Sequence, residues 1–415
     1  MNTPAGNPVG KSVFSHLSLG RTGRLVICGL RFSPNLGKGV ISECLTYLIG
    51  NVRPDLEIVH IDLAGRTAFT GTNGRKRSLV LKLLPKIPQP LRQRLVLFLL
   101  GGKIDALEPG WRALIRDKTS VVIGGGQIFA DCDLNFPIKI GRIARICRDE
   151  RVSVAVYGAG AGEGWSARGA RLFAQLHAVK LQYVALRDER SVAAFTRQMP
   201  ELDCGIRVVP DPAVLAETVY GPAPEHTLAL GRGRVGLCIT AAEVLQYHAD
   251  MPVVGGRHTR VFFLNVIVHL CGQGLSVALF TNGALEDEAS LTSLIADPAL
   301  ADIVADGRLI RHAAFLSPRD LAHAISSHDV IVAHRLHASI IAFAYGVPSL
   351  GLGWDRKVES FYSLTGREVH CVVDASMTPE YLCHRIIAAK CHPIPDEVRN
   401  CLMTQTVQGI ADLLT

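Results

Sequence analysis

Short apolar runs rich in Val, Ile and Leu alternate along the chain with longer stretches in which apolar residues recur at helical spacing. This alternation is typical of parallel βαβ units, where a helix that covers the sheet follows each buried strand. The predicted strands of the first half are Leu25–Cys28, Glu57–Ile61, Ser120–Ile123, Val152–Val156, Tyr183–Leu186 and Arg207–Val209. The predicted helices of this half are Gly39–Ile49, Ile138–Asp149, Ala167–Ala178 and Ser191–Gln198.

The same alternation returns after a Pro- and Gly-rich passage from Pro210 to Arg234, which we interpret as a linker. The predicted strands of the second half are Val235–Ile239, Leu275–Phe280, Leu309–Arg311, Val330–Ala333, Ser349–Leu352 and Val369–Val373. Its predicted helices include Val261–Cys271, Pro318–Ser327 with Ser317 as N-cap, and Ala338–Tyr345.

The pattern therefore predicts an α/β protein with two Rossmann-like domains. Ligands of such folds bind at the carboxyl ends of the strands, so we expect a ligand cleft between the two sheets. The predicted divisions are a flexible leader (1–22), an N-terminal Rossmann-like domain (23–212), a linker (213–234), a C-terminal Rossmann-like domain (235–392) and a C-terminal helix (393–415).

Composition supports a large folded core, because apolar residues make up 48% of the 415 residues. The formal net charge is +7, which does not by itself indicate a nucleic-acid binder. Nine cations and no acid lie between Leu63 and Ile104, which leaves −2 for the rest of the chain. This basic, partly apolar segment predicts either peripheral contact with an anionic membrane or a helical hairpin with a solvated basic face.

Cysteine usage and the N-terminus indicate the compartment. The eleven cysteines include no C-x-x-C pair, and the first residues contain no continuous apolar run. These features predict reduced thiols, no signal peptide and a cytoplasmic protein. The apolar run Leu95–Leu100 is far too short to cross a membrane.

Three glycine-rich stretches resemble phosphate-binding motifs to different degrees. Ala5–Ser12 matches a relaxed phosphate-loop pattern but lacks a preceding buried strand, so a disordered leader is the better interpretation. Gly158–Gly164 fails G-x-G-x-x-G because a glutamate stands where glycine is required. Gly124–Gly126 directly follow a predicted strand, and we interpret them as a ligand-facing loop, with a tight structural turn as the alternative.

Cations cluster where predicted strands end. Arg187 follows one strand, and another is followed by a predicted helix whose first turn holds His334, Arg335 and His337 without an acid. Cations are disfavoured at a helix N-terminus, and a bound anion there would relieve the conflict. The alternatives to anion binding are that Arg187 forms an ion pair, that the histidines are solvated or belong to the core, and that Lys357 is a solvated surface residue. We expect no metal site, since no third ligand is evident beside the two histidines.

Taken together, these stretches resemble the polysaccharide pyruvyl transferase family over roughly residues 31–366. The resemblance rests on V-I-G-G-G-x-I-F (Val122–Phe129), the strand Val154–Tyr157 with its glycines, L-R-D-E-R-S (Leu186–Ser191), V-P-D-P-A (Val209–Ala213), R-L-H-A (Arg335–Ala338), G-V-P (Gly346–Pro348) and D-x-K (Asp355–Lys357). Glycine runs alone would be unspecific, whereas R-L-H and D-x-K in this order and separation are specific.

The resemblance implies a GT-B-like arrangement, with the acceptor on the N-terminal and the donor on the C-terminal domain. It implies transfer of pyruvate from phosphoenolpyruvate to two hydroxyls of a saccharide, free or lipid-linked, as a cyclic ketal in exopolysaccharide or cell-surface glycan biosynthesis. Phosphoenolpyruvate is then a co-substrate, and no cofactor or metal is expected. Arg187, Arg335, His337 and Lys357 match the family's donor-binding and catalytic positions, and we expect His337 to act as the general acid.

The chain departs from the family pattern near its amino terminus. Family members often have N-x-G-D, whereas this chain has Asn35-Leu36-Gly37-Lys38; we expect Asn35 to face the ligand, and Lys38 leaves the acceptor's identity open. A nucleotide-sugar glycosyltransferase or epimerase of the same architecture, or a non-catalytic anion- or glycan-binding protein, remains an alternative. The transferase hypothesis also requires that the four matching cations converge without each being matched by its own carboxylate.

Overall fold

The computed structural model describes residues 23–69, 87–116, 119–202, 204–222, 233–248, 260–373 and 378–414. Within these ranges twelve strands form two parallel sheets of six strands each. The strands of the first sheet are β1 Arg24–Gly29, β2 Glu57–Asp62, β3 Thr119–Phe129, β4 Ser153–Ala161, β5 Lys180–Leu186 and β6 Ile206–Val208. Those of the second sheet are β7 Arg234–Cys238, β8 Ser276–Phe280, β9 Leu309–Arg311, β10 Val330–Ala333, β11 Ser349–Leu352 and β12 Cys371–Val372.

Helices cover the sheets in both halves. In the first half they are α1 Gly37–Val52, α2 Gln89–Leu114, α3 Asn135–Asp149, α4 Ala167–Phe173, α5 Glu189–Gln198 and α6 Ala216–Tyr220. In the second half they are α7 Ala242–His248, α8 Arg260–Gly272, α9 Leu285–Ile295, α10 Ala301–Ala305, α11 Pro318–Ser326, α12 Leu336–Ala344, α13 Arg356–Leu364, α14 Pro379–Lys390 and α15 Asp396–Leu414.

The predicted α/β fold class is confirmed, and each of the twelve predicted strands overlaps an observed one. Ser317 caps α11 as predicted, with its side chain accepting from the Asp320 amide in a capping box. The long helix α2 was not among the helices predicted with bounds, but it overlaps the basic segment for which a helical hairpin was one of the two interpretations. The predicted leader, the phosphate-loop match within it and residues 70–86 of the basic segment lie outside the described residues.

Strand order fixes where the chain can bind ligands. The first sheet runs β2-β1-β3-β4-β5-β6, and the second runs β12-β11-β10-β7-β8-β9. Strand order therefore reverses between β1 and β3 in one sheet and between β7 and β10 in the other. Crevices open at the carboxyl ends of the strands that flank such reversals. The loops after β1, β3 and β10 are thus the expected walls of a site.

A shared apolar cluster holds the two halves together. Val40 and Leu45 of α1 belong to the same buried cluster as Leu321 of α11 and Ile340 and Phe343 of α12. Burying a side chain of this size contributes about 1.5–3 kcal/mol. Helices from both halves therefore pack directly behind the crevice and fix the distance between its walls.

The C-terminal helix α15 returns to the first half. The hydroxyl of Tyr183 donates to the Gly409 carbonyl over 3.0 Å, and Arg207 pairs with Asp412 over 2.8 Å. The predicted linker, in turn, begins as a buried turn, Pro212–Leu215, that leads into α6. The domain boundaries themselves stay a prediction.

Candidate active site

One cleft of about 1120 Å³ lies at the carboxyl ends of both sheets. Every predicted site residue lies on its wall: Asn35, Gly124, Gly125, Gly126, Arg187, Arg335, His337 and Lys357. The structure thus brings together groups that extend from Asn35 to Lys357 in the chain. Their roles in binding and catalysis remain predictions.

The cleft carries a net positive charge. Nine basic side chains line it against six acidic ones, an excess of three before any histidine is counted. The basic ones are Lys38, Arg66, Arg92, Lys139, Arg187, Arg190, Arg335, Arg356 and Lys357. A concave wall with this excess favours a small anion over a neutral or cationic ligand.

Arg187 lies at the end of β5, and its side chain is only 4% exposed. Its Nε donates to Asp188 over 3.1 Å, and Nη2 donates to Gln127. Nη1 is buried and has no hydrogen-bond partner within the described chain. Asp188 also caps α5 by accepting from the Ser191 amide. Arg187 is therefore held firmly while one of its nitrogens is left unsatisfied.

Arg335 is the N-cap residue of α12, directly after β10. Its Nε and Nη2 donate to one oxygen of Asp287, over 2.9 and 2.5 Å, and the other oxygen of this buried carboxylate accepts from the Ala241 amide. Burial lowers the pKa of Arg335, but the Asp287 carboxylate outweighs it and raises the pKa above its usual value. Arg335 is therefore permanently charged and fixed from behind.

His337 lies in the first turn of α12, with Nε2 3.7 Å from Oδ2 of Asp211. Burial lowers the pKa of His337, with Arg187 and Lys38 adding to the decrease, while Asp211 opposes it. Nε2 and the Asp211 oxygen are both buried without a hydrogen-bond partner among the described residues. A Cβ on Gly37 would lie 2.5 Å from Cβ of His337, so the glycine of the N-x-G motif lets α1 pack against this histidine.

Lys357 lies in the first turn of α13, whose N-cap is Asp355. The Lys357 ammonium contacts Asp355 and lies 4.4 Å from the centre of the Trp354 ring. The ring and the carboxylate together hold the Lys357 ammonium at the cleft wall.

The expectation of cations without their own carboxylates is wrong. Asp188, Asp287, Asp211 and Asp355 stand beside Arg187, Arg335, His337 and Lys357, respectively. The physical reason is that an unpaired buried cation is costly, and a fixed partner must offset that cost when no ligand is bound. Each of these carboxylates also accepts a backbone N–H, which spreads its charge over two partners. The pairs therefore position the cations. Attraction for an anion rests on the remaining positive excess of the cleft wall, which falls from three charges to two when Asp287 is counted with Arg335.

The three glycines are part of a strand and not the predicted loop. β3 continues through them to Phe129, with an irregular register and positive φ values of 72° and 73° at Gly125 and Gly126. A Cβ at Gly124 would lie 2.6 Å from Leu45, and one at Gly125 would overlap Ile41. Glycine is required here because α1 packs closely on the strand. The three glycines therefore allow close packing of α1 and also line the cleft.

Two other predicted positions differ in their surroundings. The side-chain oxygen of Asn35 is buried without a partner among the described residues, next to the start of α1. His334, by contrast, is fully buried against Phe263, and its carbonyl accepts from the indole of Trp354 over 2.7 Å. Asn35 can thus face a ligand, whereas His334 belongs to the core. No three His, Cys, Asp or Glu side chains of the described ranges are grouped as metal ligands.

The sequence did not indicate a role for several residues of the site. Gln127 and Asp211 belong to motifs that carry the family resemblance, but neither was assigned a role. Asp287 and Lys139 belong to no motif. The signal for Asp211 was its place between two prolines, which fixes a carboxylate in a rigid turn. Asp287 gave no local signal, because only the packing of α9 against β8 brings it to Ala241, after β7, and to Arg335, after β10.

Comparison with known proteins agrees with this architecture. A family model described as polysaccharide pyruvyl transferase matches residues 35–356. The UDP-GlcNAc 2-epimerase of Methanocaldococcus jannaschii superposes with a TM-score of 0.50 at 10% identity, covering 89% of this chain and 92% of its own. The S. aureus protein MnaA, solved with UDP, gives 0.51 at 10% identity, with coverages of 94% and 93%. The trehalose-6-phosphate synthase OtsA gives 0.51 at 12% identity, with coverages of 94% and 96%.

These likenesses show a GT-B-type fold and nothing about substrates, because the sequence identities are so low. Among curated proteins, none matches the chain significantly. The family model, in contrast, spans well over half of the chain and includes the loops that carry Arg187, Arg335 and His337. The chain therefore belongs to the polysaccharide pyruvyl transferase family.

Proposed function

We propose that this protein transfers pyruvate from phosphoenolpyruvate to two hydroxyls of a saccharide, in the synthesis of an exopolysaccharide or a cell-surface glycan. Family membership supports pyruvyl transfer in general. Each of the four matching cations has its own carboxylate, so the finer proposal no longer rests on unpaired charge. The observation that carries it is the convergence of Arg187, Arg335, His337 and Lys357, from loops of both halves, on one cleft with an excess of positive charge.

Phosphoenolpyruvate suits this convergence because a phosphate and a carboxylate are held close together on one small frame. Guanidinium groups bind such groups bidentately, and Arg187 still has one buried nitrogen without a partner. Lys357, a compact charge braced by Trp354, would contact the phosphate. The carboxylates behind the cations hold them in place and spare the ligand that ordering cost.

The proposed chemistry begins with a proton delivered from His337 to the methylene carbon of the donor. A sugar hydroxyl then attacks the neighbouring carbon, phosphate leaves by cleavage of its bond to that carbon, and a second hydroxyl closes the ketal. The two hydroxyls lose two protons in total, and the products retain one on the new methyl group and one on phosphate.

His337 must be protonated to act as the acid, yet burial lowers its pKa in the free protein. A bound multivalent anion would raise this pKa, and Asp211 at 3.7 Å supports the same direction. Nε2 faces Asp211, which leaves Nδ1 to face the donor. Donor binding would thus create the acid that the reaction needs.

The test is release of phosphate from phosphoenolpyruvate with a panel of nitrophenyl and lipid-linked saccharides, with mass analysis for the added pyruvate. His337→Gln should abolish ketal formation and leave donor binding measurable. His177→Gln is the matched control, because His177 is exposed just before β5 begins, away from the cleft. Full turnover by His337→Gln would refute the role of the acid.

A nucleotide-sugar enzyme of the same fold is the competing proposal. Thermal stabilisation by phosphoenolpyruvate but not by uridine diphosphate supports pyruvate transfer, since only a ligand that binds the folded state raises its melting temperature. Stabilisation by uridine diphosphate alone would favour the alternative.

We also propose that the protein works in the cytoplasm, in peripheral contact with the inner face of an anionic membrane. No helix in the described ranges is long and apolar enough to span a bilayer. Four apolar residues nevertheless share one exposed face of α2, at the helical spacing i, i+4, i+7 and i+8: Leu91, Leu95, Phe98 and Leu99. Exposed apolar side chains beside Arg94 and Lys103 suit an anionic bilayer surface.

Co-sedimentation with vesicles tests this contact. The protein should bind vesicles that contain phosphatidylglycerol at low salt, and the double variant Leu95→Gln/Phe98→Gln should lose this binding. Leu316→Gln, at a residue that is 81% exposed elsewhere on the surface, is the control and should bind normally. No sedimentation of the unaltered protein at low salt would refute the membrane contact.

A further inference from the structure

Lys139 is a buried lysine on the wall of the cleft that the proposed donor chemistry does not use. It lies in the second turn of α3 and is only 5% exposed. Its ammonium donates to the neutral amide oxygen of Asn135 over 2.9 Å and lies 5.7 Å from the centre of the Phe136 ring. No carboxylate of the described residues lies within ion-pair distance of it. An isolated buried ammonium is costly, so its presence calls for a function.

The charges around Lys139 make this cost larger. Arg66, after β2, and Lys103 of α2 both lower the pKa of Lys139 in addition to burial, to about 8. Lys103 itself donates to the carbonyl of Ala64, a neutral partner. Three cations therefore lie near one another, each on a different element of the first half, and two of them, Lys139 and Arg66, line the cleft.

Asp62 is the acid that opposes this cluster, and it is already occupied. Its carboxylate accepts from the backbone amides of Phe32 and Ala64 and more weakly from that of Arg66. Asp62 therefore holds the loops after β1 and β2 in place, and its charge is shared among several N–H groups. The cluster keeps a net positive charge.

The backbone that leads into this region is also strained. Cys132, Asp133 and Leu134 all have positive φ values, between 44° and 70°, immediately before α3 begins. Three consecutive non-glycine residues in this conformation are costly, and such strain tends to be kept where it positions functional groups. Here it brings the first turns of α3, with Asn135 and Lys139, to the cleft wall.

We propose that Lys139, with Arg66 and Asn135, forms a second anion subsite that binds a phosphate group of the acceptor saccharide. The assignment to the acceptor rests on the proposed function, in which Arg187, Arg335 and Lys357 bind the donor. All members of the new subsite come from the first half, whereas Arg335 and Lys357 come from the second. The cleft, at about 1120 Å³, is far larger than a donor of ten heavy atoms requires.

Calorimetric binding of inorganic pyrophosphate tests the subsite directly. Pyrophosphate should bind the unaltered protein, and Lys139→Met should weaken this binding about ten- to hundredfold, the loss typical of a hydrogen bond to a charged group. Lys180→Met removes the same charge from an exposed position at the amino end of β5, so it should bind like the unaltered protein. Equal affinities of all three proteins would overturn the proposal, and a thermal melt of each variant verifies folding.

Competition separates this subsite from the donor site. Saturating phosphoenolpyruvate should leave pyrophosphate binding in place. If the two exclude each other, Lys139 belongs to the donor site and the acceptor assignment is wrong, while pyruvate transfer survives. If phosphoenolpyruvate fails to bind and pyrophosphate still requires Lys139, the proposed function fails and the anion subsite stands.

The source of the phosphate is resolved by comparing ligands. A hexose 1-phosphate and the same hexose on a lipid diphosphate should both displace pyrophosphate, and the tighter of the two identifies the acceptor type. A neutral methyl hexoside should not displace it. Equal displacement by a hexuronic acid would show that the subsite takes carboxylates, against the proposal.

Discussion

Replacing Lys139 with Met should make the protein more stable while weakening its binding of anions. The change removes an ammonium that is buried beside Arg66 and Lys103 without an ion-pair partner, and it replaces it with an apolar chain of similar length. Replacing buried charge by a packed apolar side chain is often stabilising. A stabilising substitution at a site that binds ligand would indicate that the lysine is retained for function.

The magnitude follows from the depressed pKa. The pKa of Lys139 decreases from the usual 10.5 to about 8 in the folded chain, mainly through burial. This difference corresponds to roughly 3 kcal/mol against the charged form. Asn135 loses its partner in the variant, which costs about 1 kcal/mol. The net gain expected at pH 7 is therefore about 2 kcal/mol.

The pH dependence of stability provides a second test of the predicted stabilisation by Lys139→Met. Below pH 8 the lysine is protonated in both states, so the full destabilisation is present in the unaltered protein. Between pH 8 and 10.5 the unfolded chain binds more protons than the folded one, so the unaltered protein gains stability as the pH rises. The advantage of Lys139→Met should therefore be largest at pH 7 and shrink towards pH 10.

Chemical denaturation followed by tryptophan fluorescence measures this difference. Two of the three tryptophans, Trp111 and Trp165, lie in the first half with Lys139 and report on its unfolding. Lys180→Met, at an exposed lysine, should change the midpoint little. A lower midpoint for Lys139→Met at pH 7, or an advantage that grows with pH, would refute the account of Lys139 as an uncompensated buried charge.

Three further predictions concern the site and its supports. Asp211→Asn should move the falling alkaline limb of the kcat profile to lower pH, because Asp211 raises the pKa of His337; an unmoved limb would show that Asp211 does not act through this ring. Asp287→Asn should destabilise the protein by about 3–5 kcal/mol, because it leaves Arg335 buried without a counterion. Phosphoenolpyruvate should raise the melting temperature of this variant by more than it raises that of the unaltered protein. Gly125→Ala should cost at least about 2 kcal/mol, because its φ is positive and Ile41 occupies the space, whereas Gly101→Ala in α2 should be neutral or stabilising, since that position is open. Denaturation midpoints decide the last comparison.

The sheets were predictable because a buried parallel strand leaves a strong local trace. All predicted strands except Ser349–Leu352 contain β-branched residues, and the hydrophobic pattern needs no knowledge of distant residues. The helix α2 left a weaker trace. Leu91, Leu95 and Phe98 recur at helical spacing but are exposed, Gly101 and Gly102 follow them, and Pro109 lies inside the helix. Glycine and proline are poor helix formers, so the sequence did not show where this helix begins and ends.

The cations of the site could be found from the sequence, but their electrostatic state could not. Arg187, Arg335 and Lys357 each follow a predicted strand, and strand ends converge by the rules of parallel sheets. Their counterions have two origins. Asp188 and Asp355 are neighbours in the chain, whereas Asp287 is 48 residues from Arg335 and reaches it only through packing.

The positions of charged residues in the sequence therefore indicate which groups come together in the site. The net charge around them depends on contacts between residues that are distant in the chain. For this reason Lys139, whose partner Asn135 lies one turn away and is neutral, is the more informative cation. The paired cations are already balanced when the cleft is empty. An anion can therefore gain most by binding beside Lys139 of α3, whose ammonium has a neutral hydrogen-bond partner and is opposed by the charge of Asp62. A phosphate bound there would gain attraction without displacing an existing ion pair, and loss of that attraction is what the Lys139 variant measures.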